Sequence, residues 1–302
     1  MAKRARQTST PEVARLVRRG LEHGRGQAEA IQRRRRGIRR RTARALGEGG
    51  LLVAEGDSWF DYPLDDVLQQ LERNFDFDVE SAAHMGDMLE SMAYEASQHT
   101  DLVRIFERLE RDGRRPRAIL LSGGGNDIAG EVFGFLLNHI QSGLAPLNDR
   151  IIDGVVEQRL RFAMVSLIAA VTKIAEEHLG QTIPVILHGY DYPVPDGRGF
   201  LGGFWLLPGP WLKPGFEEKG YDVLQNTTQV MVQIIDRYNE MLASLPTHPG
   251  LRHVTYLDLR RTLSNDPRYY KNSWGNELHP TRLGFGRVAD KFYAVISGLP
   301  MP

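Results

Sequence analysis

Leu51-Leu52-Val53-Ala54-Glu55-Gly56-Asp57-Ser58-Trp59 is the stretch that decides the architecture of this chain. An apolar run bounded by a small residue, an acid and a serine reads as a strand buried on both faces that stops in a tight turn. Such strands belong to parallel sheets covered by helices on either side. In open sheets of this kind ligands gather at the carboxyl ends of the strands. The turn therefore sets the Ser58 hydroxyl at the edge where chemistry is expected.

Working outward from Leu51, strand and helix alternate. Strands are expected at 51–55, 77–81, 118–122, 184–188 and 253–258, and helices at 64–74, 88–99, 102–112, 128–141, 153–179, 222–244 and 281–297. The pattern predicts an α/β fold with a five-stranded parallel sheet. In the longest helix Leu160, Ala163, Met164, Leu167, Ile168, Val171 and Ile174 recur at helical spacing, the signature of core packing. The stretch 190–220 has no period and is rich in Gly, Pro and aromatics. A loop this long is usually functional, and Phe200, Phe204, Trp205 and Trp211 favour an ordered partial lid.

Upstream of Leu51 the chain changes character. Residues 1–47 carry fifteen Lys or Arg against three Glu, a net +12, so the remainder of this neutral chain carries −12. We expect an N-terminal basic helical arm at 1–47 and a second unit at 48–302. Thr10 is the expected N-cap and Pro11 the first helical residue. Helical segments then run to about Leu46, interrupted by Gly20, Gly24, Gly26 and Gly37. A run such as Arg33 to Arg41 suits weak contact with nucleic acid or an anionic surface. The plainer reading is a solvated face docked on the acidic remainder, because the arm lacks aromatics for base stacking.

Composition narrows the chemistry. The chain has 302 residues, 41% of them hydrophobic and 25% charged, enough for one sizeable core. The lack of cysteine removes disulfides, thiolate metal sites and a cysteine nucleophile. No apolar stretch reaches the roughly 18 residues of a membrane span, and no apolar segment follows the basic N-terminus. A cytoplasmic chain is the expectation. His84 and His188 stand without paired ligand spacing, so no metal is expected. Gly123-Gly124-Gly125 lacks the trailing residues of a phosphate loop, so no nucleotide is expected either.

Three separated segments carry chemistry: Ser58 after the first strand, Asn126 in Gly123-Gly124-Gly125-Asn126-Asp127 after the third, and His279 before Pro280. A serine hydroxyl needs a base to take its proton, most often histidine. Attack on a carbonyl creates an oxyanion that needs preorganised donors. The Ser58 amide, the Gly86 amide after the second strand and the Asn126 side chain are the candidates. Trp59 and Asp191, beside the nucleophile and after the fourth strand, are candidate substrate contacts, with a loop anchor as the plainer role for Asp191. Asp57 and Asp127 are expected to tie loop amides near the site.

With Ser58 in Gly-Asp-Ser, then Gly86, Asn126 in Gly-Gly-Asn-Asp, and His279 in His-Pro, the chain from Leu51 to about Ile296 resembles the SGNH (GDSL-type) hydrolase family. The resemblance implies a flavodoxin-like three-layer α/β/α fold, esterase or lipase-like activity on a small-molecule or lipid-like ester, and no cofactor. One position departs from the family pattern, which has Asp three residues before the histidine. Here Asn276 stands there and Glu277 follows it. Three readings stay open: Glu277 supplies the acid, Asn276 or a backbone carbonyl orients a Ser-His dyad, or the site is crippled. Beside a carboxylic ester hydrolase, an acyltransferase with the same acyl-enzyme and a non-catalytic binding module are the alternatives. Oligomeric state is not legible.

Overall fold

The computed structural model describes residues 11–35, 49–63, 65–200 and 208–302. The chain runs α1 (Pro11–Arg35), β1 (Gly50–Glu55), α2 (Val67–Phe75), β2 (Phe77–Ser81), α3 (Leu89–Tyr94), α4 (Ala96–Asp112), β3 (Ala118–Leu121) and α5 (Gly125–Ile128). It continues through α6 (Asp149–Asp153), α7 (Arg161–Leu179), β4 (Val185–His188), α8 (Lys213–Glu218), α9 (Leu224–Ser244), β5 (Val254–Leu257), α10 (Tyr270–Ser273) and α11 (Arg282–Ser297).

All strand pairings are parallel, in the order β2-β1-β3-β4-β5. The central strands β1, β3 and β4 are buried along their whole length, whereas the edge strands β2 and β5 expose part of theirs. Apolar runs fill the middle because both faces of a parallel sheet are covered by helices. This is the flavodoxin-like order, and its direction reverses between β1 and β3. Ser58 follows β1 and Asn126 follows β3, so the two face the crevice that such a reversal opens.

Four expectations are corrected. The helix before the sheet is one piece, Pro11–Arg35, and its glycines do not break it. A Cβ at Gly20 would sit 2.8 Å from Val165 Cγ1 of α7, so this glycine permits close helix packing, with Val17 and Leu21 buried nearby. Thr10, Gly37 and the arginines from Arg36 to Arg41 lie outside the described residues. Second, 128–141 is not an α-helix: Ala129 turns to extended backbone (ψ 176°), and tighter 3-10 turns follow at Gly130–Leu136 and Ile140–Ser142. Their purpose is to bury Phe133 against Phe216 of α8. Third, the helix at 88–99 is broken at Glu95, which is extended and separates α3 from α4. Fourth, the first turns of the helix at 153–179 are widened over Gly154–Leu160. The short helices α8 and α10 lie in segments whose sequence shows no period. Among the described residues no helix is long and apolar enough to cross a membrane.

Candidate active site

The turn that carries Ser58 is assembled from three strand ends. Gly56 is pressed against β3: a Cβ there would lie 2.7 Å from Ser122 Cβ, so only glycine fits. The Asp57 carboxylate accepts from the Trp59 amide at 3.0 Å and the Ser122 hydroxyl at 2.8 Å, and also from the Tyr190 hydroxyl. It therefore ties the ends of β1, β3 and β4 together and leaves Ser58 at the apex of the turn. Ser58 is buried apart from 6% of its surface.

The histidine comes from the turn before α11. Gly275 N–H donates to the His279 carbonyl at 2.8 Å, and Thr281 caps α11 by accepting from Gly284 N–H. Trp59 Nε1 donates to the Leu278 carbonyl at 3.1 Å, which fastens the histidine turn to the Ser58 turn. His279 Nε2 then lies 2.7 Å from Ser58 Oγ.

Asn276 decides which way that contact runs. Its Oδ1 accepts from the Leu278 amide at 2.9 Å and from the His279 amide at 2.8 Å. Backbone N–H groups only donate, so the atom facing them is the oxygen and not the amide nitrogen. The same Oδ1 lies 3.1 Å from His279 Nδ1. Nδ1 must therefore carry the proton, and Nε2 is left as the bare acceptor for the Ser58 hydroxyl. Asn276 Nδ2 donates to the Tyr62 hydroxyl at 3.0 Å. The Tyr62 ring stacks on the imidazole with centroids 4.2 Å apart, and Trp211 meets it edge-on at 5.6 Å. Wedged between two aromatics and facing only a neutral amide, His279 has its pKa pushed by burial down to about 3.

Glu277 is corrected as a candidate acid. It is completely buried, and its carboxylate accepts from the amides of Gly197, Trp211, Leu212 and Lys213 at 2.9, 2.6, 2.8 and 3.1 Å. None of these contacts is to the His279 ring. Glu277 instead clamps both ends of the aromatic loop, and burial raises its pKa against the pull of those four amides. Asp191 takes the role of loop anchor, the plainer of its two expected roles. It borders the cavity, but its oxygens accept from the amides of Tyr192, Arg261 and Leu263, so it anchors β4 to the segment after β5. Trp59 also borders the cavity, as a buried ring packed on His188, Tyr190 and Trp274. Phe200 and Trp211 of the expected lid approach Tyr62 and His279, whereas Phe204 and Trp205 lie outside the described residues.

The donor side lies across from the histidine. Asn126 sits in α5, and its Nδ2 donates to the Asp87 carbonyl at 2.9 Å, holding the loop that contains Gly86. That loop is also tied to the Ser58 turn by His84 N–H on the Gly56 carbonyl at 3.0 Å. One hydrogen of the Asn126 amide engages Asp87, which leaves the other for a ligand. The Asp127 carboxylate accepts from the Leu89 amide at 2.7 Å, and burial raises its pKa to about 6. His188 is a core residue whose Nδ1 lies 2.6 Å from the Gly189 carbonyl. Among the described residues no three His, Asp or Glu stand together as a metal site would need.

Ser58, Asn126 and His279 border one cavity of about 50 Å³. Sequence reasoning missed Tyr62, four residues after Ser58, because ring stacking on a histidine 217 positions away leaves no local pattern. It also missed Tyr190, whose hydroxyl steadies Asp57.

Solved structures similar to this chain include a member of the lipolytic protein G-D-S-L family from Veillonella parvula, 13% identical with a TM-score of 0.43, over 82% of this chain and 99% of that one. Another is the lipase/acylhydrolase from Enterococcus faecalis, 14% identical with a TM-score of 0.40, over 82% of this chain and 96% of that one. A third is an alpha/beta hydrolase enzyme from the metagenome of Lake Arreo, 15% identical with a TM-score of 0.40, over 84% and 97%. No protein-family model matches the sequence, and no curated protein matches it. In structure, the chain is similar to hydrolases of the G-D-S-L lipolytic type.

Proposed function

We propose that this protein is a serine hydrolase of carboxylic esters. Ser58 Oγ attacks the acyl carbon while His279 Nε2 takes its proton. The imidazolium then protonates the departing alcohol, and water enters by the same route to release the acid. The Ser58 and Gly86 amides and the Asn126 side chain hold the oxyanion. Asn276 takes the orienting place that an acid commonly fills, fixing the tautomer without supplying a negative charge.

The observation that carries this reading is the 2.7 Å contact between Ser58 Oγ and the unprotonated nitrogen of His279. A serine lacking such a base is inert toward esters and toward phosphonylation. A fluorophosphonate probe is therefore expected to label the protein at Ser58, mapped by mass spectrometry, with p-nitrophenyl acetate turned over by the same preparation. A folded protein that takes up no label and hydrolyses no ester would be a binding module.

The amide at 276 gives the reaction a distinctive pH dependence. A base works while it is unprotonated, and activity falls as pH drops through its folded pKa. With His279 depressed to about 3, kcat/KM is expected to stay level from pH 8 down to about pH 5. An ordinary imidazole, near 6.5, would already show its acidic limb there. Stability does not stay level over the same range. Between about 6.5 and 3 the unfolded imidazole binds a proton that the folded one refuses. The folded state thus loses stability as pH falls through that window. Asn276→Asp is expected to raise the His279 pKa, move the acidic limb upward and increase kcat about tenfold, the difference between a neutral and a charge-assisted hydrogen bond. A wild-type limb near pH 6.5, unmoved in Asn276→Asp, would contradict the assignment of Asn276.

A further inference from the structure

Asn276 leaves a charge unanswered. When the Ser58 proton reaches Nε2, both ring nitrogens of His279 carry hydrogen and the imidazole becomes a cation. In a triad the acid stabilises that imidazolium. Here the group facing Nδ1 is a neutral amide. Glu277 commits its carboxylate to four backbone amides away from the ring. Burial alone lowers the His279 pKa, and among the described residues no carboxylate pulls it back up.

The group that does lie against the imidazole is Tyr62. Its ring is tilted only 19° from the imidazole plane, with centroids 4.2 Å apart. An aromatic face carries negative charge density and attracts a cation within about 6 Å of its centroid. Trp211, by contrast, stands at 74° to the imidazole and does not lie flat on it. Three contacts fix the Tyr62 ring. Phe200 meets it edge-on at 5.6 Å, Phe285 packs on it at 6.1 Å, and its hydroxyl accepts from Asn276 Nδ2 at 3.0 Å. Asn276 thus holds the imidazole through Oδ1 and the tyrosine through Nδ2, so one side chain sets the two rings face to face. Burial pushes the Tyr62 phenol above its usual range, so it stays uncharged and offers a ring face rather than an anion.

We propose that Tyr62 takes over the charge-stabilising half of the missing acid's task, its ring face supporting the imidazolium as His279 takes the Ser58 proton, while Asn276 keeps the orienting half. Tyr62 acts through His279 and is therefore a positioning residue. Its face favours the cation over the neutral imidazole, so the effect belongs to the transition state and falls on kcat. This inference rests on the ester-hydrolase reading and adds to it how a site without an acid carries its cation.

The test replaces Tyr62 in the full-length protein by phenylalanine and by its singly, triply and fully ring-fluorinated forms. Fluorine draws electron density off the ring face while changing ring size little, so packing stays and the attraction for a cation fades. On p-nitrophenyl butyrate, kcat is expected to fall stepwise, about tenfold from Tyr62→Phe to the fully fluorinated ring, with KM steady. The same series built on Asn276→Asp is expected to flatten to about threefold or less, because a carboxylate then meets the imidazolium. Rates are taken per fluorophosphonate-labelled site, which removes differences in how much protein folds. A series that is flat with Asn276 in place, or equally steep in both backgrounds, overturns the role of Tyr62 while leaving ester hydrolysis standing. Wild-type protein that takes up no label and turns over no ester overturns the hydrolase reading and this inference with it.

Discussion

Ser58→Ala is expected to lower kcat on p-nitrophenyl butyrate by about 10⁴-fold or more, the scale seen when a serine hydrolase loses its nucleophile. The substitution removes one oxygen from the apex of a turn that other groups hold. Asp57 still ties three strand ends, Trp59 still reaches the Leu278 carbonyl, and Gly56 still packs on Ser122. The only side-chain bond lost is the one to His279 Nε2. Stability should therefore fall by about 1 kcal/mol at most, the worth of one such bond. Circular dichroism and the melting temperature should stay close to wild type while fluorophosphonate labelling disappears. Residual turnover would come from the oxyanion donors and from water activated by His279. An alanine variant within tenfold of wild type would remove Ser58 from the reaction.

The second large effect is expected at Asn126. Loss of one oxyanion donor slows turnover by about 10²–10³-fold. The effect should fall on kcat with little change in KM, because the donor meets full negative charge only in the transition state. Alanine also releases the Asp87 carbonyl and with it the Gly86 loop, so a second substitution is needed. Asn126→Asp keeps the shape but replaces a donor with an anion beside the developing oxyanion. It should be at least as damaging as alanine. A rise in KM with kcat unchanged in both variants would instead make Asn126 a substrate-holding residue.

The sheet is legible in the sequence because its central strands are apolar on both faces and bounded by glycine, acid or proline. Leu51 to Ala54, Ala118 to Leu121 and Val185 to Leu187 need no tertiary information to be recognised. The segment after Asn126 is not legible. Its apolar residues suit a helix, yet the demand to bury Phe133 on Phe216, some eighty positions later, favours tighter turns. Ser58, Asn126 and His279 stand out as candidates because each carries reactive chemistry at a strand end or a helix entry. The choice between Asn276 and Glu277 turns on where neighbouring backbone amides lie, which only folding decides. Four amides converge on Glu277, whereas two amides and an imidazole converge on Asn276. Adjacent residues in the chain thus serve opposite ends of the site.

The four-amide grip of Glu277 couples two things that many enzymes keep apart. Residues 197 and 211–213, which flank Phe200 beside Tyr62 and carry Trp211 beside His279, are bolted to the same short turn that presents Asn276 and His279. The aromatic flank and the imidazole consequently share one hinge pin. A disturbance that loosens the Trp211 flank, whether heat, denaturant or a bulky ligand, also tilts the imidazole away from the serine, so the proposed catalysis should fail at milder conditions than those that melt the sheet beneath.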